Sequence, residues 1–247
     1  MARAGICLVQ SNPRGEEASF LPAYDEAHRE LIEKVPGLRR VRLLRLAGEQ
    51  LLPARSTDPG HRYLALYEHD AIARLAFLGA VPGLDGHRSS AFIDRGSVRG
   101  SFMDLLADST EPSPAPAGTE PLAFTGAVTG PPGVFCSFTK PASAETEDEY
   151  NRWWTRVHLR DTLMLDGMER GRRYVRADDL QPAVDPVPRD YLAMYDVDAV
   201  GRVPWQRASL PWVHRVSAQP MTDALDITSV RGFSYETVSD LASRTWR

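Results

Sequence analysis

The sequence predicts an α+β fold in which one chain carries two copies of a β-α-β-β-α-β unit. Four blocks recur in the same order, and the copies are separated by 128 to 132 residues. The matching blocks are 5–13 with 133–141, 20–45 with 150–176, 63–70 with 191–198, and 97–102 with 229–234. Four collinear matches are difficult to obtain by chance. We therefore interpret the chain as two ferredoxin-like repeats that arose by tandem duplication.

Each copy contains the elements of this unit in order. The first strand is apolar, and the following helix has apolar residues at spacings of three and four. The second strand, at 38–47 and 168–177, alternates apolar residues with arginines that we expect to point outward. The third strand, 63–67 or 191–195, places its two tyrosines on one face. A short helix at 70–79 or 198–208 and a strand with Ser-Val-Arg-Gly complete each copy.

The same comparison divides the chain into three segments. We expect an N-terminal repeat at 1–108 and a C-terminal repeat with its tail at 133–247. The segment between them, 109–132, is rich in proline and lacks periodicity. Such composition is typical of a semi-rigid linker.

Composition excludes several classes of protein. The chain has 247 residues, 43% hydrophobic and 25% charged, with a net charge of −4. A nucleic-acid partner is not expected without a basic surface. No apolar run reaches the ~18 residues of a membrane span, so no membrane association is expected. Two cysteines, Cys7 and Cys136, argue against a disulfide framework and favour a cytoplasmic protein.

The stretch 146–168 is the strongest candidate for a functional element. It predicts an amphipathic helix with Tyr150, Trp154, His158 and Asp161 on one face. A carboxylate three residues after a histidine can orient one ring nitrogen, which leaves the other to exchange protons near neutral pH. The alternative is a core histidine bonded to Asp161 or to a backbone carbonyl. Both interpretations stay open at this stage.

The run Trp-x-x-x-His-Leu-x-Asp at 154–161, followed by a glycine and an arginine-rich strand, resembles the EthD-like members of the dimeric α+β barrel superfamily. The resemblance is clear in the second copy and weaker in the first, where Leu31 replaces the aspartate. It implies that the two repeats form an intramolecular dimeric α+β barrel. The superfamily includes cofactor-free monooxygenases, polyketide cyclases, isomerases and haem-dependent enzymes, so the fold alone selects no reaction.

Further candidates surround this helix. Tyr191 and Tyr195 offer aromatic area for a planar ligand. His28 occupies the position in the first copy that matches His158. Arg231 either binds a substrate carboxylate or pairs with Asp226. Trp212 and His214 are expected in a loop that forms a lid or packs on the barrel rim.

No metal-binding spacing and no phosphate loop is present within a predicted element, so no metal and no cofactor are expected, although a single histidine ligand to haem stays open. Two hypotheses follow. The first is a cofactor-independent enzyme that acts on a planar aromatic or polyketide-like small molecule by cyclisation, isomerisation or oxygenation, with His158 as general acid or base. The second is a non-catalytic ligand-binding or accessory barrel. The sequence leaves open whether two chains form a homodimer.

Overall fold

Eight strands close into a single antiparallel barrel, as the sequence predicts. The computed structural model describes residues 4–56, 60–70, 79–85, 91–114, 117, 122–179, 191–217 and 219–242. The strands are β1 (Gly5–Pro13), β2 (Leu38–Leu46), β3 (Tyr63–His69), β4 (Ile93–Ser109), β5 (Gly133–Thr139), β6 (Met168–Arg176), β7 (Tyr191–Val197) and β8 (Arg231–Ala242). Their order around the barrel is β1-β3-β2-β8-β5-β7-β6-β4.

Each half of the chain supplies four neighbouring strands. In the first half β4, β1, β3 and β2 lie side by side, and in the second half β8, β5, β7 and β6 have the same relative order. The halves are joined where β2 pairs with β8 and where β4 pairs with β6. Closure leaves no unpaired strand edge, which explains why neither sheet needs another partner.

Three helices pack on the outside of this barrel in the described part of the chain. They are α1 (Glu17–Lys34), α2 and α3 (Val203–Val216); α2 consists of an α-helical part Glu147–Trp153, a π-helical turn Trp154–His158 and a last α-helical turn Leu159–Thr162. The short helix predicted at 70–79 falls mainly on residues outside the described ranges. No helix among the described residues is both long and apolar enough to cross a membrane.

The prediction of a loop around Trp212 and His214 is wrong, because α3 continues to Val216. Four buried side chains of α3 recur at helical spacing, namely Val203, Gln206, Ser209 and Val213. They give the helix one face to pack against the barrel. This packing maintains the helix through Pro211, an interior position that proline usually disfavours.

The barrel has apolar side chains on both faces of its strands. Cys7 and Val9 of β1 pack in a cluster with Tyr24 of α1, whereas Ile6 and Leu8 pack with interior residues of the other half. Successive side chains of a strand point to opposite faces. One set therefore fills the space beneath the helices, and the other fills the barrel interior. Tyr63, Ala65 and Tyr67 share the helix face, as predicted.

The expectation that the arginines of the second strands all point outward is wrong. Arg42 and Arg172 lie inside the barrel, where both contact Glu68 and Asp196. The four N–O distances range from 2.6 to 3.2 Å. Two cations and two carboxylates balance each other, which makes burial of the group acceptable. This four-residue ion cluster joins the two halves through charge.

The described part of the predicted linker lies against the second half. Phe124 donates its backbone N–H to Asp166 at 3.1 Å, and its ring lies 5.6 Å from that of Trp205. Backbone hydrogen bonds also join Thr129 to Gly201 and Pro131 to Val200. The segment before β5 is thus held by contacts with the start of α3.

Candidate functional site

The candidate site lies beneath α2, where the helix widens into a π-helical turn. The N–H of Leu159 donates to the carbonyl of Trp154, five residues earlier. Such a turn accommodates one extra residue and is frequent at functional sites. It supplies three of the side chains considered below: Trp154, Thr155 and His158.

His158 lies between aromatic rings. Its imidazole stacks on the indole of Trp153 at 4.9 Å between centroids and meets the ring of Trp154 edge-on at 4.8 Å. The ring of His214 is nearly parallel to it at 6.3 Å. Burial among these rings, together with the charges of His214 and Arg173, lowers the pKa of His158 to about 3. The imidazole is therefore neutral near pH 7.

The predicted contact between His158 and Asp161 is not formed. Asp161 is buried, and its carboxylate accepts a hydrogen bond from Ser217 after the end of α3. Within the described residues, the ring of His158 has no hydrogen bond to any side chain. The π-helical turn ends at His158, and Asp161 lies in the α-helical turn that follows. The carboxylate is held by Ser217 instead of by the imidazole.

Arg173 of β6 occupies the centre of the aromatic side chains that the sequence selected. Its guanidinium carbon lies 4.8 Å from the ring centroid of Tyr150, 5.0 Å from that of Tyr191 and 5.6 Å from that of Trp154. Such faces attract a cation through the ring quadrupole. The predicted tyrosines and tryptophan are thus brought together, but around an arginine.

The guanidinium of Arg173 donates hydrogen bonds only to uncharged oxygen atoms in the described structure. It reaches the backbone and side-chain oxygens of Asn151 at 3.2 and 2.8 Å and the hydroxyl of Thr155 at 3.1 Å. Desolvation lowers the pKa of Arg173 from its ordinary value. Arg173 was not predicted as a site residue, because a strand arginine was expected to point into solvent. Asn151 and Thr155, its hydrogen-bond partners on α2, were not predicted either.

Two polar groups of the same region lie near each other without making a short hydrogen bond. They are the hydroxyl of Tyr195 and the indole nitrogen of Trp154, both buried. Burial raises the pKa of Tyr195 to about 12, so the hydroxyl remains protonated near neutral pH. Tyr150 and Tyr191 differ in this respect, since Tyr150 bonds to Thr139 at 2.6 Å and Tyr191 donates to Glu147.

A groove runs along the outer side of α2. It has a volume of about 450 Å³. It is lined by Trp153 and Val157 of α2 and by residues 219–223 of the loop that follows α3. The indole N–H of Trp153 donates to the carbonyl of Pro220 at 2.9 Å and so anchors that loop. Trp153 contacts the groove on one side and His158 on the other. The volume falls within the range of small-molecule sites.

His28 occupies the corresponding place in the first half but has a different environment. It is fully buried, and its Nε2 lies 3.0 Å from the hydroxyl of Tyr67. Desolvation lowers its pKa to about 3. A cavity between α1 and Phe92 has a volume of about 180 Å³, well below that of the groove along α2.

The remaining predicted residues lie apart from Arg173. Arg231 donates to the carbonyls of Thr228 and Val230 at 2.9 and 2.8 Å instead of pairing with Asp226. Trp212 is partly buried against the apolar cluster of the second half, and His214 is exposed. Among the described residues, no group of three or more His, Cys, Asp or Glu side chains is arranged to hold a metal ion.

Comparisons with known proteins identify the fold. No protein-family model matches the chain, and no curated protein sequence matches it. A candidate monooxygenase from Lactobacillus acidophilus has a similar structure, with a TM-score of 0.60, 7% identity, and coverage of 98% of this chain and 97% of that one. A candidate monooxygenase from Fusobacterium nucleatum is also similar, with a TM-score of 0.55, 7% identity, and coverage of 98% of this chain and 95% of that one.

An anthrone oxidase-like protein also has a fold similar to that of this chain. Its TM-score is 0.56 at 11% identity, with coverage of 98% of this chain and 94% of that one. At these identities the likeness shows a shared architecture alone. The chain is therefore a closed eight-stranded antiparallel barrel, and it shares this architecture with the three proteins.

Proposed function

We propose that the protein is a cofactor-independent enzyme that transfers a proton on a planar aromatic or polyketide-like small molecule. The observation that carries this proposal is the buried group beneath α2. Here Arg173 lies against Tyr150, Tyr191 and Trp154, and the hydroxyl of Tyr195 and the indole N–H of Trp154 make no short hydrogen bond. Buried donors are rarely left unsatisfied in a folded protein. A bound molecule with oxygen atoms along its edge would satisfy them, and the rings would stack on it.

His158 is the proposed general acid and base. It is neutral near pH 7 and touches the ring of Trp154, which also borders Arg173. The imidazole would accept a proton from an acidic carbon or hydroxyl of the substrate and leave an anion conjugated with the ring. A pKa near 3 makes the imidazole a weak base, so the transfer requires that the neighbouring guanidinium of Arg173 stabilise the anion; the imidazolium then returns the proton readily. The anion can close a ring, isomerise or react with molecular oxygen.

The proposed substrate class agrees with the names of the structural neighbours. Their names describe monooxygenase and anthrone oxidase activities. An anthrone is a planar tricyclic ketone whose central CH₂ loses a proton to give an aromatic anion. This chemistry matches a site that combines aromatic walls with one base.

Anthrone serves as the test compound. The wild-type protein is expected to accelerate deuterium exchange at the central CH₂, followed by NMR, and oxidation by dissolved oxygen to anthraquinone and water. We expect His158→Gln to reduce both rates by about 10²- to 10⁴-fold, the usual contribution of a general base. His28→Gln changes the matching histidine of the other half and is the control. Equal rates for wild type and His158→Gln would contradict the proposal.

The second candidate is a barrel that binds such molecules without catalysis. It is favoured by one observation, namely that Asp161 bonds to Ser217 instead of orienting His158. In that case anthrone would bind, its exchange would not be accelerated, and His158→Gln would affect only stability. The exchange measurement separates the two candidates directly.

The division into two EthD-like, ferredoxin-like repeats at 1–108 and 133–247 is part of the same proposal. Repeated local geometry supports it. Glu17 accepts a hydrogen bond from Tyr63, and Glu147 accepts one from Tyr191 at the matching position. Both halves also have the same strand order. Independent origins would not require these details to agree.

A further inference from the structure

Arg172 and Arg173 are adjacent in β6, and both are buried, but their electrostatic environments differ. Arg172 points into the barrel and contacts the carboxylates of Glu68 and Asp196. Arg173 points toward α2, where the described residues place no carboxylate within ion-pair distance of its guanidinium. Removing an ion from water costs on the order of several kcal/mol unless a counter-charge accompanies it. The charge of Arg173 is not balanced by the protein around it.

The fold itself does not require a charge at this position. Leu43 of β2 occupies the matching place in the first half and belongs to the apolar cluster beneath α1. The two strands show the same sequence of buried and exposed positions along their length. A leucine therefore satisfies the packing requirement, and the arginine of the second half needs another reason.

The groups around Arg173 are suited to a flat anion. Tyr150, Tyr191 and Trp154 present ring faces to the guanidinium. The hydroxyl of Tyr195 and the indole N–H of Trp154 are buried donors that lie near each other and make no short hydrogen bond. An anionic oxygen accepts hydrogen bonds from such donors and from the planar guanidinium fork, while its ring stacks on the aromatic side chains.

We propose that Arg173 is the anion-recognising residue of the site beneath α2, and that the ligand carries an anionic oxygen conjugated with a planar ring, as a carboxylate, phenolate or enolate. This inference rests on the proposed function for the location of the site. It adds the charge of the ligand, which neither the fold nor His158 specifies. In the enzymatic reaction the same guanidinium would stabilise the anion that forms when His158 removes a proton.

The test uses binding and does not require turnover. Isothermal titration measures the affinity of the full chain for 2-naphthoate and for 2-naphthamide, which has a similar shape but no charge. Wild type is expected to prefer the naphthoate by about 30-fold or more, given the usual effect of a buried charged partner. Arg173→Leu, the residue of the first half, is expected to abolish that preference. Arg173→Lys retains the charge without the fork and should preserve part of it.

Each result decides the inference. Loss of the preference in Arg173→Leu, with naphthamide affinity within about threefold of wild type, would support it. Equal naphthoate affinity in wild type and Arg173→Leu, or no preference in wild type, would overturn it. If Arg173→Leu does not fold, as judged by circular dichroism, wild type is compared with Arg173→Lys. An unchanged preference of Arg173→Lys for the naphthoate would overturn the role of the planar guanidinium. Since His158→Gln should retain naphthoate binding while it loses anthrone exchange, the two proposals fail separately.

Discussion

The two halves of the molecule share the same barrel geometry and differ beneath their helices. Arg42 and Arg172 enter the same ion cluster, and Gly37 and Gly167 have the same positive φ of 83° after the first helix. The residue after each arginine differs, being Leu43 in one half and Arg173 in the other. Features that close the barrel are thus common to both halves. The helix side of the second half alone contains an unbalanced charge among aromatic rings.

The largest expected effect concerns the shared ion cluster. We expect Arg42→Leu and Arg172→Leu to destabilise the protein by about 3 kcal/mol each, because Glu68 and Asp196 then share one cation. Urea unfolding followed by circular dichroism measures the change. The control is Arg40→Leu, which removes an exposed pair with Asp240 and should cost at most about 1 kcal/mol. A large effect in one half only would contradict a shared cluster.

The turns after the first helices give the next largest effect. A β-carbon at Gly37 would lie 2.6 Å from Oδ1 of Asp70, and one at Gly167 would lie 2.6 Å from Oδ1 of Asp198. The strained φ adds to this collision, so each alanine variant should cost about 2 kcal/mol in unfolding free energy. Gly15→Ala has a positive φ of 94° but nothing within 4 Å of the new atom. It should cost less, and an equal cost would show that the collision has no effect.

The two matching histidines should contribute similarly to the pH dependence of stability. Their pKa values fall to about 3 in the folded protein, against about 6.5 in an unfolded chain. The unfolded state therefore binds more protons between these values, so stability is fully present above about pH 6.5 and declines as the pH falls toward 3. His28→Gln and His158→Gln should each remove a similar part of this slope, because the pKa of both histidines falls to about 3.

The slope is measured from urea midpoints at several pH values between 4 and 8 for wild type and both variants. Glutamine can retain the hydrogen bond to Tyr67 but does not titrate, so it separates charge from packing. A clear change of slope in only one of the two variants would contradict the equal shifts and show that the other histidine keeps its ordinary pKa.

The smallest expected effect concerns Asp161. Asparagine at this position can still accept the hydrogen bond from Ser217, and the carboxylate does not contact His158. We therefore expect Asp161→Asn to change the rate of anthrone exchange by less than about threefold, which is below 1 kcal/mol. A loss comparable with that of His158→Gln would restore the pairing that the sequence predicted.

Much of the architecture was predictable because it depends on periodicity. Alternating strands and the collinear blocks indicated two matching units, and the aromatic face of α2 indicated a cluster of aromatic residues; the closed barrel itself came from the family resemblance. The π-helical turn was not predictable, since it depends on tertiary packing over a single turn. The spacing of His158 and Asp161 was misleading because Ser217, distant in sequence, binds the carboxylate.

The arginines of β6 show a second limit of sequence reasoning. Alternation in a strand assigns residues to two faces, but it assumes that one face is exposed. In a closed barrel with helices outside, both faces are buried, so Arg172 and Arg173 are both desolvated. A useful signal was present in the repeat itself, because Arg172 matches Arg42 whereas Arg173 matches Leu43. A charge that occurs in only one of two matching strands indicates a local role.

The stoichiometry of 2-naphthoate binding tests the difference between the halves most directly. Isothermal titration of the wild-type chain is expected to give one bound molecule per chain, with no change in stoichiometry or affinity in His28→Gln and loss of tight binding in Arg173→Leu. Two equivalent molecules per chain would contradict the account. Tight binding that persists in Arg173→Leu but is lost in His28→Gln would contradict it as well.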